Sequence, residues 1–227
     1  MRTYRIYLIR HGLTSANLGG RYVGVTDIPL CSEGKAHLKE LAEKYEYPNV
    51  GIVYSSPLGR CVETAQILYP DMEPQTVEKL KEYNFGIYEN QSVEDLKNDP
   101  QFLRWLSTNM AESPEGGENM MEFGGRIKEG LHEIILDMMK KKISDAAVVT
   151  HGGVMMALLS MCGIPTRSAA QWSADNGKGY SILVNASLWG DSQRFEICDK
   201  LPYGMDEVAV SRLYHFIDVP ESRTEKP

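Results

Sequence analysis

The sequence predicts an α/β layered domain. Two observations carry that expectation. Short apolar runs of strand length alternate with longer segments of helical periodicity, and no internal repeat or low-complexity linker interrupts the alternation. The 227 residues suffice for one large domain or two small ones; they are read here as a single domain over 1–227. Hydrophobic residues make up 42% and charged residues 24%, the balance of a globular chain long enough to bury its core without a metal or a disulfide.

Taken in order, "YRIYLI" (4–9) reads as a buried strand. "SEGKAHLKELAEKY" (32–45) reads as a helix capped by Ser32, with Ala36, Leu38, Leu41 and Ala42 as its apolar face. "VGIVYS" (50–55) is a second strand. "PLGRCVETAQILY" (57–69) is a helix with Ser56 as cap and Pro57 at its first position. A long helix covers 122–142 despite Gly124 and Gly125, and its closing lysines suit the negative end of the helix dipole. "DAAVVT" (145–150) is a third buried strand and "GVMMALLSMC" (153–162) a helix. "GYSILVNASLWG" and "SQRFEICDKL" read as two late strands joined in a hairpin at Gly190-Asp191. A flexible tail is expected at about 220–227.

The bulk numbers exclude several classes. A net charge of −7 argues against nonspecific nucleic-acid binding, which rests on positive surface. Cys31, Cys61, Cys162 and Cys198 form no C-x-x-C pair and no zinc-finger spacing with the histidines, so free thiols in a reducing compartment fit best. The apolar run before Arg10 is too short for a signal peptide, and no stretch approaches the length of a membrane helix. The expected location is cytoplasmic.

Three distant segments then share one character. Arg10-His11 follows the first strand, Arg60 lies in the first turn of the helix after the second, and His151-Gly152-Gly153 follows the third and opens the next helix. In open α/β sheets ligands bind beyond the carboxyl ends of strands, where helix N-termini offer unpaired N–H groups. A cation in a first helical turn opposes the dipole at about 0.3–1 kcal/mol, and a bound anion reverses that sign. Arginine's planar fork matches phosphate oxygens. Guanidinium charges beside His11 depress its pKa from about 6.5 and keep it a neutral nucleophile. The arginines and a protonated His151 would stabilise the equatorial oxygens of a phosphoryl group in flight. A leaving alkoxide also needs a proton, hence a carboxylic acid whose pKa is raised by nearby negative charge.

The segments "LIRHG", "YVGVTDIPLCSEG", "VYSSPLGRCVETA", "LKEYNFGIYE" and "VVTHGGV", in this order over residues 6 to about 160, resemble the histidine phosphatase superfamily. The resemblance implies the phosphoglycerate-mutase-like fold, a three-layer α/β/α sandwich with a mostly parallel central sheet. It implies His11 as the nucleophile that becomes phosphohistidine. Arg10 and Arg60 would grip the phosphate with His151. Glu82 would give a proton to the leaving group and then take one from water. Asn17 and the Gly152 N–H would bind the phosphoryl group. It implies no metal and no cofactor. Leu13 stands where the family usually has Glu or Gln, and Lys81 beside Glu82 would favour the ionised carboxylate unless it points away.

Mutases of this superfamily typically carry Glu-Arg-His-Tyr-Gly where this chain has Glu82-Tyr83-Asn84-Phe85-Gly86, and they shield the phosphohistidine with a longer lid than the 88–119 insertion expected here. The reading is therefore a phosphomonoester hydrolase acting on a small phosphorylated metabolite, resembling the α-ribazole phosphatase-like and broad-specificity branch. The alternatives are a phosphoglycerate-type mutase, a metal-dependent hydrolase without the usual histidine spacing, and a non-catalytic phospho-ligand binder. Tyr22 and Tyr88, and beyond them Trp105, Met110 and Trp172, are candidates to touch the rest of the substrate. The Met pairs at 120–121, 138–139 and 155–156 read as core filler. His37 and His132 read as solvated, His215 as part of a late-packing apolar segment, and Cys61 as redox-sensitive only if exposed. The sequence leaves the oligomeric state open.

Overall fold

The structure is a computed structural model that describes residues 3–205. Its strands are β1 (Thr3–Arg10), β2 (Ile52–Ser55), β3 (Gln75–Thr76), β4 (Asp145–Thr150), β5 (Gly163–Ile164), β6 (Gly179–Asn185) and β7 (Phe195–Leu201). They form one sheet in the order β3-β2-β4-β1-β6-β7-β5. β3, β2, β4 and β1 run parallel, while β6 is antiparallel to both β1 and β7.

The layering follows from the two-residue period of β1. Tyr4, Ile6 and Leu8 enter one core, with Ile127, Leu131 and Met138 of α6 (Met120–Lys141) and Leu158 and Leu159 of α7 (Gly152–Cys162). Tyr7 and Ile9 enter a second core on the opposite face, with Leu38 of α2 (Ser32–Lys44) and Cys61, Ala65 and Leu68 of α3 (Gly59–Leu68). A strand apolar on both faces needs helices on both, and the result is an α/β/α sandwich with a mostly parallel sheet.

Several local expectations change. Cys31, not Ser32, caps α2, its sulfur accepting from the Gly34 N–H at 3.4 Å. Ala36 and Ala42 are exposed, and the buried stripe is Gly34, Leu38 and Leu41. A Cβ on Gly34 would lie 2.1 Å from the Leu13 carbonyl oxygen, so that stripe needs a glycine where the chain crosses it. α3 starts at Gly59 with Leu58 at its cap position, which has no side-chain acceptor; the Ser56 oxygen accepts from the Leu58 N–H at 3.4 Å and meets His151 at 2.8 Å. α6 starts at Met120, two residues early, because Asn119 and Glu122 form a reciprocal capping box.

The Gly190-Asp191 hairpin does not form. β6 and β7 pair antiparallel as expected, but α8 (Ala186–Ser192) joins them. Asn185 caps α8 through the Ser187 and Leu188 N–H groups, and the helix buries Trp189 against Phe195, which a two-residue turn would leave exposed. Of the methionine pairs only Met138 and Met155 are fully core. Met121 is 83% exposed and Met139 40%.

Between β3 and α6 the chain makes an excursion through a 3-10 turn (Gly86–Tyr88), α4 (Val93–Leu96) and α5 (Pro100–Ser107). Its interior is aromatic. Tyr88 is 3% exposed and packs on Phe102 and Trp105, with ring centroids 5.1 and 5.4 Å away. Tyr88 and Trp105 are thus core residues of this excursion. Tyr22 is half-buried on its edge against Phe85 and Phe102. Met110 packs partly buried on the same core, and Trp172 is buried against Tyr180. The tail 220–227 and His215 lie outside the described residues. His37 and His132 are exposed, and His132 Nδ1 accepts from the Trp189 indole N–H at 3.1 Å.

Candidate active site

Parallel pairing brings the C-terminal ends of β1, β2 and β4 to one edge: Arg10 stands opposite Thr150, and Ser55 opposite Val149. The His11 N–H extends the ladder to the Thr150 carbonyl at 2.9 Å, and its ring comes to rest 5.2 Å, centroid to centroid, from that of His151. Arg10, His11, Arg60, Glu82 and His151 are all buried here.

His11 Nδ1 lies 2.7 Å from the Gly12 carbonyl oxygen. A carbonyl only accepts, so Nδ1 carries the proton and Nε2 keeps its lone pair. Burial first, then the Arg60 and Arg10 charges, hold the imidazole pKa well below its ordinary value. The ring is a neutral base with its nucleophilic nitrogen bare. Gly12 is a close-approach glycine: a Cβ there would meet Leu38 Cδ1 at 2.6 Å.

Arg60 is 1% exposed. It donates from Nη1 to the Thr26 carbonyl at 2.9 Å, from Nη2 to the Gly24 carbonyl at 2.6 Å and from Nε to His151 Nδ1 at 3.3 Å. These bonds use three of its five N–H groups and fix the plane of the fork. Arg10 Nη1 donates to the Ala174 carbonyl at 2.8 Å. Its guanidinium lies against Gly152, where a Cβ would come within 3.3 Å of Cζ and Nε, so it sits over the N-terminus of α7.

His151 departs from expectation. It is fully buried, accepts at Nδ1 from Arg60, and faces Ser56 Oγ at 2.8 Å through Nε2. With Nδ1 an acceptor, Nε2 bears the proton and the ring is neutral. Burial, Arg60 and His11 hold its pKa well below the ordinary value. It meets Arg60 as a neutral acceptor, not as an imidazolium.

Glu82 accepts from the Gly153 N–H at 2.8 Å through Oε2 and from the Tyr83 N–H at 2.9 Å through Oε1. Burial raises its pKa and outweighs both hydrogen bonds and the two arginine charges. The cause is therefore desolvation, not neighbouring negative charge. Lys81 points away, its ammonium 2.7 Å from Glu78.

Asn17 closes the short helix α1 (Ser15–Leu18) into a capping box. Its Oδ1 accepts from the Thr14 N–H and hydroxyl. Cys61 is fully buried, 3.5 Å from His151 Nε2, and burial pushes its thiol pKa far up, so the exposure that redox sensitivity required is absent.

Sequence reasoning missed the supports. Asn176 Nδ2 donates to the His11 and Gly12 carbonyls at 2.9 and 3.2 Å. Thr64 Oγ1 accepts from the Gly12 N–H at 2.9 Å and donates to the Arg60 carbonyl at 2.6 Å. Glu89 accepts from the Gly24, Val25, Thr26 and Phe85 N–H groups, all at 3.1–3.2 Å, and so holds the loop whose carbonyls hold Arg60. Only the Thr64 spacing, one helical turn after Arg60, is visible in sequence. Among the described residues no three His, Cys, Asp or Glu side chains gather as a metal set, and no helix is long and apolar enough to cross a membrane.

A profile of the Histidine phosphatase superfamily (branch 1) matches residues 6–189. The chain belongs to that superfamily. The probable phosphoglycerate mutase GpmB of Yersinia pestis (strain Pestoides F) is 32% identical over 194 residues, 82% of this chain and 87% of that protein. The adenosylcobalamin/alpha-ribazole phosphatase of Escherichia coli (strain K12) is 27% identical over 186 residues, 80% of this chain and 90% of that protein. The crystal structure of the alpha-ribazole phosphatase from Shigella flexneri shares the fold, with a TM-score of 0.69 at 22% identity over 86% of this chain and 94% of that one.

Proposed function

We propose that this protein hydrolyses small phosphate monoesters through a phosphohistidine on His11, without a metal. The observation that carries the reading is the placement of His11: a buried ring whose Nδ1 faces the Gly12 carbonyl at 2.7 Å, with burial and the Arg60 and Arg10 charges lowering its pKa.

Nε2 attacks phosphorus and the P–O ester bond breaks. The leaving alkoxide takes the proton of Glu82. Arg10, Arg60 and the Gly152 N–H at the start of α7 hold the equatorial oxygens, where charge spreads in the transition state. In the second half Glu82, now a carboxylate, takes a proton from water as the water oxygen attacks phosphorus. The N–P bond breaks, phosphate leaves, and His11 returns neutral. Asn17 adds a donor to the phosphoryl group, Tyr22 stands at the edge of the substrate space, and 88–119 acts as the lid. A cytoplasmic location belongs to the same proposal, on the sparse cysteines of the sequence.

A mutase reading has support from the name of the Yersinia relative, and three contacts of two residues oppose it. Tyr83 and Asn84, which replace the mutase Arg-His pair, turn into the neighbouring loop. The Tyr83 hydroxyl donates to the Glu118 carbonyl, and Asn84 bonds Gly116 and Gly86 at 3.0 Å. Neither brings a cation to a second acidic group of the substrate.

The test is quenched-flow labelling with a 32P-phosphate monoester in the presence of EDTA. The expected result is an acid-labile, base-stable phosphoenzyme that His11→Ala abolishes together with turnover. Turnover that EDTA removes overturns the metal-free mechanism, and transfer of the label to 3-phosphoglycerate in preference to water overturns the hydrolase reading.

A further inference from the structure

The segment that carries Glu82 follows a 3-10 turn (Glu78–Leu80) and has no regular structure of its own. Its carboxyl bonds two N–H groups, but the backbone beneath needs an external anchor to hold the acid at a fixed distance from a leaving group. Arg126, seven residues past the cap of α6, supplies it. Nη1 donates to the Lys79 and Lys81 carbonyls, both at 2.9 Å. Nη2 donates to the Glu82 carbonyl at 3.2 Å and to Glu118 Oε1 at 2.5 Å, and Nε donates to Glu118 Oε2 at 3.1 Å. All five N–H groups of the guanidinium are thereby used.

Glu118 completes the bracket. Its Oε1 also accepts from the Asn84 N–H at 2.9 Å, and its own N–H donates to the Asn84 carbonyl at 3.1 Å. The pair holds three carbonyls up to Glu82 and the amide two residues beyond it. Both side chains are mostly shielded, at 25% and 15% exposure. An exposed ion pair would contribute little; this one is a mostly shielded bidentate fork tied to four backbone groups.

We propose that Arg126 and Glu118 are positioning residues for proton transfer by Glu82, setting the reach of the acid without touching the reacting atoms. The inference rests on the reading of Glu82 as the proton donor. Its signature is leaving-group dependence. An alkoxide leaves only with a proton, whereas p-nitrophenolate leaves without one. The grip on phosphate uses other contacts, on Arg10, Arg60 and α7, and stays intact when the pair is removed.

The experiment compares kcat/KM for an alkyl phosphate and for p-nitrophenyl phosphate in Arg126→Met, Glu118→Gln and Glu82→Gln. Arg126→Met is expected to lose about 100-fold on the alkyl ester and less than about fivefold on the nitrophenyl ester. Glu118→Gln, which keeps an acceptor for Asn84, shows the same bias at smaller amplitude and decides the matter if Arg126→Met does not fold. Arg126→Lys restores part of the alkyl-ester activity. Equal losses on both esters, or no loss on either, overturn the positioning role. The Glu82→Gln arm separates the two readings: bias there but not in the Arg126 and Glu118 variants sinks only the positioning, and no bias in Glu82→Gln sinks the acid assignment itself.

Discussion

Gly153→Ala isolates the acid in a single methyl group. A Cβ at residue 153 would lie 2.4 Å from Glu82 Oε1, 3.0 Å from its Cδ and 3.1 Å from Oε2, where ordinary contact begins at 3.4 Å. The carboxyl therefore retreats by about 1 Å and stretches its 2.8 Å bond to the residue 153 N–H. Misplacement on that scale costs about 100-fold in rate, or about 2.7 kcal/mol of transition-state stabilisation. Alanine's better helix propensity offsets part of the folding cost of that contact, less than the roughly 1 kcal/mol of a helix interior because Gly153 lies in the first turn of α7. The melting temperature should stay within about 4 °C of the parent protein. Gly152→Ala is the internal control. Its Cβ meets Arg10 at 3.3 Å, which asks the guanidinium for a few tenths of an ångström and so weakens phosphate binding rather than protonation. The assay is steady-state kcat/KM on an alkyl phosphate with a thermal melt on the same samples. A Gly153→Ala enzyme with parental kcat/KM would refute the reasoning, since it would mean that a carboxyl pushed off the α7 terminus serves equally well.

Two further predictions concern the supports. Glu89→Ala strands the N–H groups of Gly24, Val25, Thr26 and Phe85, so stability should fall by about 2–3 kcal/mol in urea unfolding. Inorganic phosphate should inhibit the variant about tenfold more weakly, because the carbonyls that set Arg60 lose their frame; unchanged inhibition would break that link. His11 and His151 are both held neutral in the fold, with pKa values well below those of the unfolded chain, so below about pH 6.5 the unfolded state binds more protons. The stability they contribute is complete above that pH and is lost as pH falls through the window beneath it, at up to about 1.4 kcal/mol per pH unit for each ring. Asn at 151 can take over the Nδ1 contact to Arg60 without titrating, though it does not reach Ser56. His151→Asn should therefore flatten the slope of unfolding free energy against pH between about pH 5 and 6, and an unaltered slope would show that His151 is protonated in the folded protein.

The electrostatics of the site invert those of the whole chain. A net charge of −7 repels anions at long range, yet two buried guanidiniums meet at one sheet edge. Burial first, and then the same charges, hold the His11 pKa down, while burial raises that of Glu82 against the pull of the arginines. Low dielectric thus serves nucleophile and acid in opposite directions, since it penalises whichever form is charged.

The strands, the flanking helices and the buried polar cluster at the sheet edge were legible because most of them left a local trace. A continuous apolar run marks β1, helix-length apolar segments mark α6 and α7, and Arg-His or His-Gly-Gly at strand ends breaks an apolar pattern abruptly. Caps and connections were less legible. Ser56 carries the composition of a helix cap, but its hydroxyl serves His151 across 95 residues of chain. Gly190-Asp191 carries a hairpin signal, but the burial of Trp189 favours a helix. In both cases a weak local preference lost to a larger nonlocal one.

What the sequence alone offered is a candidate chemistry: an imidazole and two phosphate-matching cations at the junctions of predictable strands and helices, with a carboxylic acid supplied by the family resemblance. What only the tertiary structure decided is the protonation of those groups and the supports that aim them. Protonation depends on burial and on which carbonyl or hydroxyl faces each nitrogen. The supports, Asn176, Glu89, Arg126 and Glu118, act on backbone atoms far away in the chain, and a side chain that bonds distant backbone leaves no pattern in its own neighbourhood to read.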